Sequence, residues 1–168
     1  MARDDHPRER SGPADAEHAT PWAAPPSIKA RGGVQRAVTE LLDALAPERV
    51  VSRAPRLLVL VERHRTPRGC VLQAAAAAVS VTWFPDAAAD RGFGELQVTA
   101  WQGVVSRPGS ADRAPAGASV ARELTLVPVE DGARGWAWRA ADGTTYDTED
   151  LVAQCAALLE EQVAAAEN

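Results

Sequence analysis

At 168 residues and a formal net charge of −5, with a pI near 5.2, the chain has room for one domain and lacks the basic balance of a nucleic-acid binder. The hydrophobic fraction of 46% overstates the core, because runs such as Ala74–Ala78 supply side chains that bury little area. The two cysteines, Cys70 and Cys155, are too few and too far apart for a zinc site or a disulfide framework. They read as small buried hydrophobes of a cytoplasmic protein.

The first 28 residues mix Asp, Arg, Pro, His and Ala without periodicity. Such a segment cannot bury enough apolar surface to offset its ordering entropy, and it reads as a disordered tail. It contains no apolar stretch of the kind a secretory signal needs. Trp22, beside Pro25 and Pro26, is compatible with docking on the folded body and equally with exposure to solvent. Residues 29–168 form the expected α+β domain.

From Gly33 the pattern changes. Val34, Ala37, Val38, Leu41, Leu42 and Leu45 recur at helical spacing, while Gln35, Arg36, Glu40 and Asp43 fall on the other side. This is one amphipathic helix, preceded by Gly32-Gly33 and stopped by Pro47. A strand follows from Arg56 to His64, with Thr66-Pro67 as its turn. That loop would set Arg63 opposite Cys70 and Leu60 opposite Gln73. Leu57, Val59 and Val61 then share one face and Leu58 and Leu60 the other, so both faces need cover. Leu57, Val59 and Val61 are therefore candidates for binding a partner. Arg63, Arg65 and Arg68 crowd the turn, either as solvated charge or as anion contacts.

Gly69 to Phe84 is long for one strand and carries five consecutive alanines, Ala74–Ala78. Alanine prefers helix, whereas the flank Val79-Ser80-Val81-Thr82 prefers strand. A bent or bulged strand is expected, with a short helical insertion as the alternative. No stretch reaches the roughly 20 apolar residues of a membrane helix, since the weakly polar run Cys70–Val81 spans only about a dozen. Gly92-Phe93-Gly94 reads as a turn.

Glu95 to Ser106 alternates cleanly: Leu96, Val98, Ala100 and Val104 inward, Glu95, Gln97 and Thr99 outward. Trp101 falls on the polar side, where tryptophan suits an interface. After a loop from Arg107 to Gly117, Val120, Leu124 and Leu126 line the next strand's inner face, and Trp136 and Trp138 continue it beyond Asp131-Gly132. Asp142-Gly143 signals a two-residue hairpin. Asp147 or Thr148 caps a last helix, whose stripe is Leu151, Val152, Cys155, Leu158, Leu159 and Val163.

The fold class is thus a single α+β domain, an antiparallel meander of five to six strands flanked by an N-terminal and a C-terminal helix. Its element order loosely resembles helix-grip folds and the acidic α+β chaperones of bacterial secretion systems, without a shared motif.

Catalytic chemistry is poorly provided for. His64 is the one histidine outside the tail, and the hairpin register puts it on the face opposite Cys70. Arg63 beside Cys70 makes a depressed thiol pKa conceivable. Glu149/Asp150 and Glu160/Glu161 are helix neighbours about 100° apart, so they do not converge on one atom. Asp4-Asp5-His6 could hold a metal only weakly, and no dinucleotide, P-loop, CxxC or HExxH motif occurs. The expectation is no enzyme, no metal and no cofactor. The chain reads as an interaction or adaptor module that offers a sheet face to a protein partner or to a second copy, without nucleic acid or membrane. The alternative is a small-molecule binder with a cavity between sheet and C-terminal helix, lined by the tryptophans and Tyr146.

Overall fold

The computed structural model describes residues 26–45, 60–74, 76–85, 92–105, 117–132 and 135–166. The chain runs α1 (Ile28–Ala44), β1 (Glu62–Thr66), β2 (Gly69–Gln73), β3 (Ala77–Phe84), β4 (Glu95–Gln102), β5 (Ser119–Asp131), β6 (Gly135–Ala140), β7 (Thr145–Tyr146) and α2 (Thr148–Ala166). The strands form one antiparallel sheet in sequence order, β1 to β7. This is the α+β meander with terminal helices, with seven strands in place of five or six. No described helix is long and apolar enough to cross a membrane.

The extra strand comes from the alanines. Instead of one bent strand, Gly69–Gln73 and Ala77–Phe84 pair antiparallel as two strands, with Ala74 N–H donating to Ala77 O at 2.8 Å between them. Alanine has no turn preference; a buried side chain makes this turn. Gln73 Nε2 donates to the carbonyls of both Ala74 and Ala77, and its Oε1 accepts from Val105 N at 2.9 Å. One amide thus satisfies backbone groups on either side of the turn, as burial requires. The Gly103 amide adds a bond to Ala76 O at 2.8 Å.

Both helices lie on one face. α2 packs over β3 and β4, with its ends reaching β6 and β7, and α1 packs against α2 and β6. The core between them joins Val79, Val81, Leu96, Val98, Leu126 and Trp138 of the sheet to the stripes of both helices. All six stripe residues of α1 are buried. The helix nevertheless begins earlier than its pattern suggests: Ser27 caps it, its hydroxyl accepting from Ala30 N at 3.2 Å. Gly32 and Gly33 are therefore helical. At Gly33 a Cβ would sit 2.6 Å from Trp136 Nε1, so glycine is what lets that indole lie against the helix. Asp147 caps α2, accepting from Asp150 N at 2.8 Å.

Register explains two further departures. β1 and β2 pair Glu62 with Gln73 and Arg65 with Cys70, turning at Pro67-Arg68. The pairing is shifted by two residues, so the faces are unchanged but Arg63 sits opposite Leu72. A bulge between Ala100 and Trp101 then pairs Trp101 with Val120 and Ala100 with Arg122. The extra residue, Ala121, reverses the facing of β5, so Val120 is 52% exposed instead of lining the core. Val104 lies past the end of β4 and is also exposed.

Asp142-Gly143 does turn the chain, through a three-residue loop. Ala140 N donates to Thr144 O at 2.8 Å, and Gly143, at φ 90°, takes the left-handed position. Thr144 N donates to Asp142 Oδ1 at 2.9 Å and holds that carboxyl below the usual range.

Candidate interaction surface

Residues directly opposite one another in an antiparallel sheet share a face, so register alone lays out the side away from the helices. Across β1 to β5 one row reads His64, Val71, Ser80, Thr99, Glu123, and the next reads Glu62, Gln73, Ala78, Trp101, Val120. A third row is Thr66, Gly69, Thr82, Gln97, Thr125. Along these rows β2, β3 and β4 carry no charge; the charges stand at the margins, on β1 and β5. No described helix lies on this face.

Trp101 lies where the alternation put it. Half-buried on this face, it donates from Nε1 to Ser80 Oγ at 2.9 Å. The bond holds the indole toward β3, and Ala78, its direct partner across β3, is fully covered. Gln97 Nε2 donates to Glu123 Oε1 at 2.5 Å on the adjoining strand.

The other candidate positions are placed differently. Leu57 and Val59 lie outside the described residues. Val61 is 8% exposed and belongs to the core on the helix side, so it is not a surface anchor; Leu60, at 79%, is the exposed member of that pair. The arginine cluster is largely committed. Arg63 Nη2 donates to Leu42 O at 2.6 Å and Asp43 O at 3.3 Å, capping the C-terminus of α1. Arg65 pairs with Asp43 Oδ1 at 3.3 Å. Arg68 alone stays exposed, in the turn. Arg63 and Arg65 thus staple β1 to the helix.

The thiols are inert by environment. Burial pushes Cys70 up, and although a hydrogen bond and the charge of Arg63 pull it down, the net shift is upward, so the depression that Arg63 made conceivable does not arise. Cys155 is pushed up to about 12 by burial, with a smaller push from Cys70. Both are free. His64 Nε2 lies 3.6 Å from Glu62 Oε2, on the face away from Cys70, which leaves no Cys/His dyad. Among the described residues no group of three His, Cys, Asp or Glu side chains could hold a metal.

Under the helices the tryptophans pack as core. Trp83 and Trp138 meet edge to face at 6.1 Å, and Phe93 meets Trp136 at 5.2 Å. Among the described residues, the buried Nε1 atoms of Trp83 and Trp138 have no hydrogen-bond partner.

Sequence reasoning placed Trp101 on the outward side and did not foresee the role of Gln73 or the uncharged rows. Ser80, Thr82, Gln97 and Thr99 did carry the signal, being outward strand positions that are polar without charge. Their adjacency needed the register.

Comparison of the chain with protein-family models, with curated proteins and with solved structures finds no match in any of the three.

Proposed function

We propose that the chain is a non-enzymatic interaction module that presents the open face of its sheet to a protein partner. One observation carries this reading: both helices pack on the same face, which leaves Trp101 half-buried amid an uncharged field rimmed by Glu62, His64 and Glu123. A charge-depleted centre with an aromatic anchor and a polar rim is the usual anatomy of a protein interface. The acidic composition and the two unpaired thiols accord with a cytoplasmic location.

The test uses the full-length chain as bait under native conditions, beside Trp101→Ala and Thr82→Arg variants. A partner, whether another protein or a second copy, should be retained by the parent and lost by both variants, with the melting temperature unchanged for Thr82→Arg. Equal retention by all three would refute the reading.

A small-molecule binder is the second reading, and it draws on the orphan N–H groups of Trp83 and Trp138. A buried donor without an acceptor costs about 1–3 kcal/mol, and a ligand oxygen between sheet and helices would remove that cost. Quenching or shift of tryptophan emission on adding the ligand would report it.

A further inference from the structure

We propose that the partner on the open face is a second copy of this chain, docked face to face with strands aligned and the twofold axis running along β3. The inference rests on the reading of that face as an interaction surface and names its occupant. The argument starts from the row His64, Val71, Ser80, Thr99, Glu123. Ser80 stands at its middle, with a basic-capable residue two strands to one side and a carboxylate two strands to the other. A twofold axis lying between the two sheets and parallel to β3 exchanges the β1 side with the β5 side. It sets His64 of each copy over Glu123 of the other, an isologous pair of contacts made twice.

The residues on the axis fit that arrangement. Ser80 and Thr82 of β3 would meet their own copies, while Ala78 on the same strand is already covered within one copy. All three are small, so the two sheets can reach the roughly 10 Å spacing of packed sheets. One strand off the axis, Trp101 comes over β2 of the other copy at the position of Gln73, whose own side chain is buried.

The footprint of the face sets a ceiling, since Gln73, Ala78 and Thr99 on it are already buried within one copy. Five strands at about 4.8 Å and the eight residues of β3 at about 3.4 Å give a face of up to roughly 650 Å² per copy. Two copies bury up to about 1,300 Å², at the low end of the roughly 1,200–2,000 Å² of specific interfaces and below obligate dimers. A reversible dimer is what such a face supports.

Sedimentation equilibrium of the full-length chain at about 10–100 μM, a range suited to a reversible interface of this size, is the experiment. The expected species is twice 17.8 kDa. Thr82→Arg, which sets two arginines against each other on the axis, should give a monomer at unchanged melting temperature. His64→Glu should weaken the dimer about tenfold by opposing Glu123 of the other copy, and adding Glu123→Arg should restore it. A dimer indifferent to Thr82→Arg would place the interface elsewhere and overturn the proposal, as would failure of Glu123→Arg to rescue His64→Glu. A monomeric parent also overturns it. In that case a co-purifying protein lost on Thr82→Arg would leave the interaction reading standing, while the absence of any such protein would remove both.

Discussion

Trp138 is fully buried on β6, and its indole meets Trp83 edge to face beneath the helices. Truncation there removes both transfer energy and packing, so Trp138→Ala should cost on the order of 3–5 kcal/mol. Against a total of about 5–15 kcal/mol for a domain, urea unfolding should find the variant barely folded. The thiols make a second test at this scale. Burial lifts the Cys155 thiol from 9.0 to about 12 in the folded protein. A group whose folded pKa is raised contributes stability that is whole below its unfolded pKa and is lost as pH climbs toward the folded one. The decline therefore falls between pH 9 and about 12, at roughly 1.4 kcal/mol per pH unit for one thiol. Cys155→Ala, measured against its own neutral-pH stability, should show a shallower alkaline decline than the parent. At pH 8 neither thiol should react with a water-soluble disulfide reagent until the protein is unfolded.

At the scale of elements, neighbouring glycines in α1 separate propensity from packing. A Cβ at Gly32 meets nothing within 4 Å, whereas one at Gly33 meets Trp136 Nε1 at 2.6 Å. Both positions are helical, so alanine brings about 0.5–1 kcal/mol of helix propensity to each. Gly32→Ala should raise the melting temperature. Gly33→Ala should lower it, because displacing Trp136 also disturbs its contact with Phe93. If both variants are stabilised, the Trp136 indole is not seated against the helix. The same close fit explains why an element boundary drawn at Gly32-Gly33 fell inside a helix: glycine marked an approach between elements, not an end.

Among the described residues both helices clad one side of the sheet, and the N-terminal border of the domain can be located by truncation. Residues 1–25 have the composition of a segment without a core pattern, while Ser27 caps α1 and the Pro26 ring lies against Gly92. Removing residues 1–25 should shift the melting temperature by less than about 2 °C. Extending the deletion through Ser27 should cost roughly 2–4 °C, the loss of about 1 kcal/mol of cap in a chain of this size. Differential scanning calorimetry of the two truncations checks the border.

Local pattern was enough for much of this molecule. The spacing of Val34 to Leu45 and of Leu151 to Val163 marked both helices, and Asp147-Thr148 marked where the second begins. Alternation from Leu96 to Ala100 placed those residues inward and Trp101 outward, because facing in a regular strand follows from parity alone. Parity fails where a strand gains a residue, and nothing near Val120 announced the bulge that turned it outward. The hairpin at Ala74–Ala77 was equally hidden, since the Gln73 side chain and the Val105 amide that hold it are far apart in sequence. Arg63 looked like a charge at a turn until tertiary packing brought the carbonyl end of α1 against it. The open face was the least legible of all. Ser80, Thr99, His64 and Glu123 lie on separate strands, and only hydrogen-bonded register makes them one row; only the docking of both helices on the same side leaves that row without a described helix over it.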